Sequence, residues 1–239
     1  MRGKVTPSPI LVAGGTRGTG LLVVRLLESN GFPVRVLARD PTRAKAHLGP
    51  AIEVVSGDIT KPETLTGSVQ HASHIIFTAG VRSGRYARED VVRATDYQGV
   101  VNTLDAARAT GFSGRFVYMN SLGITRSSLP AILLNALKKN TLVWRRRAEE
   151  GIRASGLDYA IVRVGFLLNA HGGQRAVHVT QDALPLSVRY RIARADVAKV
   201  LVEAMQQPRA SRVTFSAVWG KDRRRSDWAK LLTDLKPDP

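Results

Sequence analysis

Val12-Ala-Gly-Gly-Thr-Arg-Gly-Thr-Gly-Leu21 decides the fold. The stretch grows out of the apolar run Ile10-Leu-Val-Ala13, which has the length and composition of a buried strand. It leads into Leu21, Leu22, Val24, Leu26 and Leu27, which mark the inner face of a helix ending near Asn30-Gly31. Between the two, the glycines allow a tight turn, close approach of a pyrophosphate to the backbone, and close packing of helix on strand. The free N–H groups and the dipole of the helix N-terminus then face an anion. A glycine-rich string alone says little; between an apolar strand and an amphipathic helix it predicts a dinucleotide site. A plain flexible loop is the alternative, and the agreement of strand, turn and helix argues against it.

Outward from that turn the chain alternates. Strands are expected at residues 32–38, 52–55, 74–78, 115–120, 159–164 and 212–216. Helices are expected from about 87 to 110, 130 to 154, 196 to 205 and 226 to 235. Strands joined by helical crossovers imply an α/β, doubly wound, mostly parallel sheet covered on both faces. No repeat, low-complexity tract or linker divides residues 1–239, so a single Rossmann-type domain is expected. A small C-terminal substrate-side region is expected as well. The least regular stretch, residues 165–194 with Gly172-Gly173 and Pro185, is the candidate cap.

The chain has 239 residues, long enough to bury a core without staples, and no cysteine. That excludes disulfides, thiolate nucleophiles and cysteine-ligated metals. No stretch has signal-peptide or membrane-span character, so no membrane span and a cytoplasmic location are expected. With 36 Lys+Arg against 19 Asp+Glu, the formal net charge is +17. Such a field attracts nucleic acid, anionic membranes and phosphorylated ligands. Only Arg145-Arg146-Arg147 and Arg223-Arg224-Arg225 form runs, and the few aromatics do not interleave with them. This argues against a dedicated nucleic-acid function.

Glycines at 14, 18 and 20 make the spacing Gly-x-x-x-Gly-x-Gly, which resembles the short-chain dehydrogenase/reductase pattern. Arg35-Val-Leu-Ala-Arg-Asp-Pro41, Gly57-Asp58-Ile59, Thr78-Ala79-Gly80, residues 154–163 and Arg194-Ala-Asp-Val-Ala198 resemble segments of the atypical, NAD(P)H-binding (NmrA-like) branch. The likeness covers most of residues 10–217. It implies a nicotinamide dinucleotide held by Gly14, Thr16, Arg17, Gly18, Thr19 and Gly20, with Arg39, Asp58, Ile59, Thr78, Ala79 and Gly80 lining the rest. NAD-preferring sites place an acid after the second strand. Here Arg39 stands there, with Asp40 next, and a guanidinium suits a 2′-phosphate. Arg17 is a second candidate phosphate contact. NADP(H) is therefore favoured over NAD(H), the alternative being that Arg39 points into solvent.

The resemblance also sets the catalytic expectations. Ser121 falls at the family's serine position, its alternative role being a strand-end hydroxyl bonded to backbone. No Tyr-x-x-x-Lys exists: the residues four places after the five tyrosines are Asp90, Val101, Leu122, Arg163 and Arg194. Alignment of Leu142-Val-Trp-Arg-Arg-Arg-Ala-Glu149 with the catalytic helix puts Arg145 at the lysine position and Thr141 at the tyrosine position. Arg145 can hydrogen-bond ribose hydroxyls, but neither residue is an acid–base group near neutral pH. At least two of Arg145 to Arg147 are expected on a solvated helix face. The five histidines form no metal motif, and no nucleophile elbow or P-loop is present. Two readings follow: an NADPH-dependent reductase of a small carbonyl, quinone or flavin-like acceptor, or a non-catalytic NADP(H)-binding sensor or scaffold. The substrate is not legible, and Leu133, Leu134 and Leu137 fit either a core or a homodimer interface.

Overall fold

A computed structural model describes residues 8–81, 88–220 and 226–239. Arg223 to Arg225 and the predicted helix start at Ala87 lie outside the described residues. The elements begin β1 (Ile10–Ala13), α1 (Gly18–Ser29), β2 (Val34–Ala38), α2 (Pro41–Leu48), β3 (Glu53–Ser56), α3 (Thr66–Val69) and β4 (His74–Phe77). Next come α4 (Glu89–Arg93), a π-helical turn (Ala94–Gln98), α5 (Gly99–Ala109) and β5 (Arg115–Ser121). The chain continues through α6 (Leu129–Leu137), α7 (Thr141–Ala154), β6 (Asp158–Val164), β7 (Phe166–Leu168), β8 (Val177–Thr180), β9 (Arg191–Ala193), α8 (Arg194–Gln206) and β10 (Val213–Trp219).

The sheet runs β3-β2-β1-β4-β5-β6-β10-β8. All neighbours are parallel except β8, which pairs antiparallel with β10. The order 3-2-1-4-5-6 is that of a Rossmann fold, and its direction reverses between β1 and β4. Alternation along each strand sends side chains to two cores. Val12, Val36, Ile76 and Val117 meet Val23, Val24 and Leu27 of α1 and Val197, Val200 and Leu201 of α8. Leu11, Ile75, Phe77, Phe116 and Tyr118 meet Val100 and Leu104 of α5 and Ala148 and Ile152 of α7. Each such side chain contributes about 1.5–3 kcal/mol by leaving water, which is what holds both helical layers down.

One buried cation ties the N-terminal end of the sheet. Arg115 of β5 pairs with Asp158 of β6 (2.9 Å) and donates to the carbonyls of Ala204 and Gln207 at the end of α8. A cation there meets the negative end of the helix dipole.

Several expectations need correction. The predicted helix over 130–154 is two helices, because Lys139 and Asn140 adopt positive φ (49° and 62°). Asn135 secures the break, its carbonyl accepting from the Asn140 N–H and its side chain from the Leu142 N–H. The helix over 87–110 contains the π turn. Residues 226–235 are successive i→i+3 turns rather than a helix, with Lys230 N–H on the Asp227 carbonyl and Thr233 N–H on that of Lys230. Leu232 and Leu235 still reach the core, which accounts for the helix-like spacing. Residues 165–194 are more ordered than expected and carry β7, β8 and β9, β7 and β9 forming a separate parallel pair. α2 was not anticipated, although Asp40 caps it by accepting from the Arg43 N–H (3.0 Å) and Pro41 opens it.

Candidate functional site

The site begins where the strand order reverses, at the C-terminal ends of β1 and β4, the place where doubly wound sheets bind ligands. Ala13 and Phe77 are register partners there. The next residue after β4, Thr78, donates both its N–H (2.9 Å) and its hydroxyl (3.1 Å) to the Ala13 carbonyl. Gly14 has φ +88°, and a Cβ on it would lie 2.7 Å from the Ala79 nitrogen. A Cβ on Gly20 would lie 2.2 Å from the Gly14 carbonyl oxygen. These two glycines are therefore required by contact between protein segments. Gly18 is different: φ is +54° and nothing lies within 4 Å, so that side of the turn is open.

The open turn suits the pyrophosphate of a dinucleotide. No side chain caps α1 at Arg17, so its first-turn N–H groups remain for an incoming anion. Thr19 Oγ1 is buried with no partner among the described residues, an orphaned hydroxyl on that first turn. The sequence-derived residues Gly14, Thr16, Arg17, Gly18, Thr19 and Gly20 share this one turn, Thr78 and Ala79 lie against it, and Gly80 lies instead against Arg145.

The adenine side follows β2 and β3. Arg39 is exposed at the end of β2 and makes no hydrogen bond or ion pair among the described residues. Its neighbour Asp40 is occupied as the cap of α2. Asp58 folds its own loop, accepting from the N–H (2.9 Å) and hydroxyl (2.8 Å) of Thr60. Ile59 is held by Asn102, whose amide donates to its carbonyl (2.8 Å), and its side chain lies over Gly99.

The opposite side is an ionic corner. The π turn carries Asp96, only 2 % exposed, beneath the chain that leaves β4. Its Oδ1 accepts from the Val81 N–H (3.0 Å) and from Arg145 Nη2 (3.3 Å), and its Oδ2 from the Thr141 hydroxyl (2.5 Å). A Cβ on Gly80 would lie 2.5 Å from Arg145 Nη2, so the guanidinium sits directly on the loop after β4. Burial alone would weaken the guanidinium's hold on its proton, but the Asp96 carboxylate outweighs it, and Arg145 is a fixed cation. Only Arg145 of the arginine triplet faces this corner. Arg146 pairs with Glu150 and is exposed, and Arg147 lies 4.8 Å over the Trp144 ring.

Candidate acid–base groups are otherwise engaged. Ser121 donates its hydroxyl to the Leu122 carbonyl (3.1 Å), the backbone-bonding role foreseen as its alternative. Thr141 is committed to Asp96. Tyr118, on β5 near Arg145, is 1 % exposed, and burial drives its phenol well above the usual range, with Asp96 and Glu149 adding to this and Arg145 opposing. Lys138 has its pKa lowered by burial and by Arg145, with Asp96 opposing. On β5, Asn120 Nδ2 donates to the Arg145 carbonyl (3.3 Å) and to buried Glu149 (2.8 Å), which also takes Arg163 and Arg153. This network fixes α7 on the sheet and thereby the base of the Arg145 side chain. Asp96 was missed in the sequence. Nothing short of the tertiary arrangement distinguishes it from the other acids of a long helical segment.

With this geometry in hand, comparison with known proteins is direct. The NAD(P)H-binding family profile matches residues 14–208. The chain belongs to this family. It is an atypical short-chain dehydrogenase/reductase of NAD(P)H-binding type, as the glycine spacing and the further segments together implied. Sanguinarine reductase of Eschscholzia californica is 31 % identical over 82 % of this chain and 84 % of its own length. A functionally uncharacterized chloroplastic protein of Arabidopsis thaliana is 33 % identical over 84 % of this chain, which spans 66 % of that relative's length. Among solved structures, ChuY, an anaerobillin reductase of Escherichia coli O157:H7, superposes with a TM-score of 0.70 at 25 % identity, covering 96 % of this chain and all of that one.

Proposed function

We propose that this family member is an NADPH-dependent reductase of a small carbonyl, quinone or flavin-like acceptor, and that it works without a protein proton donor. The observation that carries the reading is the Asp96–Arg145 corner. Where a tyrosine–lysine pair would stand, the chain places a hydroxyl bonded to a buried carboxylate and a cation that cannot titrate. Arg145, resting on Gly80, would hold the nicotinamide ribose and stabilise negative charge developing on an acceptor beside it. When bound, NADPH supplies the hydride. The residues supply position and charge, and an acceptor that takes its proton from water needs no more from them. Sanguinarine reductase and the anaerobillin reductase are both named as reductases, which supports the reductase reading.

Preference for NADP(H) rests on Arg39 and Arg17, both exposed, with Asp40 withdrawn as a helix cap and so poorly available to a ribose 2′-hydroxyl. Arg39→Ala should weaken NADPH binding about tenfold or more, the scale of one charge-assisted contact, and leave NADH nearly unchanged. Equal losses for both cofactors would remove Arg39 from the reading. In a screen of NADPH oxidation over quinones, flavins and aldehydes, turnover should be nearly flat between about pH 6 and 9, because this reading assigns no enzyme acid or base to the step.

The engagement of both Ser121 and Thr141 favours a second reading, a cofactor-binding sensor or scaffold. Protein that binds NADPH tightly and oxidises it with none of these acceptors would favour that reading over the first.

A further inference from the structure

The surface around α6 belongs to neither core nor cofactor site. On this nine-residue helix Leu129, Ile132, Leu133 and Leu137 are 83, 61, 60 and 61 % exposed. They recur at helical spacing and form one apolar stripe. Ala131 and Leu134 face the other way, into a small cluster with Leu122, Leu142 and Leu186. Ser128 donates to the Leu186 carbonyl and pins the loop that also presents Val188, 73 % exposed. Soluble surfaces rarely leave so much large aliphatic area together.

What surrounds the stripe indicates what covers it. Residues 121–148 contain Arg126, Lys138, Lys139 and Arg145 to Arg147 and not one Asp or Glu, and residues 183–195 contain Arg189, Arg191 and Arg194 and again no acid. Arg145 is committed to Asp96, Arg146 pairs with Glu150, and Glu89 reaches Asn140, which leaves Arg126, Lys139, Arg147 and Arg189 as the excess of cations near the stripe. An apolar helical face bordered by such an excess is complementary to an anionic bilayer surface: aliphatic side chains enter the acyl boundary while lysine and arginine meet lipid phosphates. A second copy of the chain would bring the same excess of cations against itself. Nucleic acid would use the cations but leave the aliphatic stripe in water. We propose that α6 and the loop of Leu186 and Val188 dock this protein peripherally on anionic membrane, with α6 lying in the interface. No helix among the described residues is long and apolar enough to cross a membrane, so the contact is one of surface, not span. The inference is independent of which acceptor is reduced.

Flotation of the full chain with vesicles tests it, using phosphatidylcholine alone and phosphatidylcholine with roughly one third phosphatidylglycerol, a strongly anionic surface. Wild type should float with the anionic vesicles at least about tenfold more than with the neutral ones. The triple variant I132S/L133S/L137S should lose about tenfold or more of that binding, since it removes apolar area that would enter the bilayer. R126E/K139E should lose more than the charge-matched R209E/K230E. Arg209 follows α8 at the end of the sheet tied by Arg115, and Lys230 lies in the turns that cover the other core. The substituted side chains are exposed, so melting temperature and NADPH binding should stay near wild type and certify the fold. Equal flotation of the triple variant and wild type would overturn the proposal and leave only generic adsorption of a basic protein. Failure of wild type to float would overturn it too. So would a wild-type dimer in sedimentation velocity that the triple variant dissociates without any vesicle binding, because a second copy would then cover the stripe.

Discussion

The glycine turn and the ionic corner both touch the loop after β4, yet they are made by opposite means. The turn Gly14–Gly20 is defined by missing atoms: at Gly14 and Gly20 a single Cβ would strike backbone at 2.7 and 2.2 Å. The corner is defined by an added charge, a carboxylate 2 % exposed, held by a guanidinium, a hydroxyl and an amide. Steric exclusion tolerates almost no variation. A buried ion pair depends instead on every partner remaining in place. The turn thus rests on shape, while the corner rests on charge.

The sharpest way to break this contrast is Gly20→Val. It drives carbon into the Gly14 carbonyl and the Thr78 hydroxyl. NADPH affinity should fall by about two orders of magnitude or more, with stability down by several kcal/mol, read by titration and by denaturant unfolding. Gly18→Ala is the matched control. It meets no atom and carries only the strain of φ +54°, about 1 kcal/mol. Similar losses at 18 and 20 would refute the steric account.

Next in size is the corner. Asp96→Ala leaves Arg145 buried and unpaired and should cost about 3–5 kcal/mol in urea unfolding. Adding Arg145→Met should restore part of that, and a double-mutant cycle measures the coupling. If the two losses simply add, the pair is no unit and the comparison collapses.

The smallest effect lies away from both regions, at the start of β4. His74 Nδ1 accepts from the Arg115 N–H (3.0 Å), which requires that nitrogen to be unprotonated. Burial and then Arg115 lower its pKa below 6.5, with Asp158 opposing. The unfolded chain therefore takes the proton first as pH falls, so this contribution is complete above about 6.5 and fades below it. His74→Asn keeps an acceptor without a titration and should flatten the decline in melting temperature from about pH 6.5 to 5. NADPH affinity should not change, and a shift in it would tie His74 to the site.

The two regions also differ in how openly the sequence declares them. Gly14 and Gly20 are legible because a steric requirement leaves one permitted residue, and Gly18 because it completes the spacing at a position of positive φ. That Arg39 follows β2 and that no Tyr-x-x-x-Lys occurs can be read off for a related reason, since both are counted along the chain. Asp96 is not, because its role comes from meeting Arg145, 49 positions later, through a π turn that no propensity announces. The break at Lys139-Asn140 was equally hidden. It depends on Asn135 bonding across it, while the apolar periodicity runs on through both helices.

The π turn has one more consequence, and it concerns insertions and deletions. A π turn is a helix carrying one residue more than its α-helical register accommodates, and such bulges persist mostly where function holds them. Deleting a single residue between Ala94 and Gln98 would let the segment relax to a continuous α-helix. The flanking helices would keep their faces, while the residues of the turn itself would shift by up to about 100° around the axis. Asp96, one of them, could not keep Arg145, Thr141 and Val81 through that shift. The charge at the heart of the site is thus a matter of register as much as of residue type, and lineages sharing every side chain of this corner could still lose it by losing one residue.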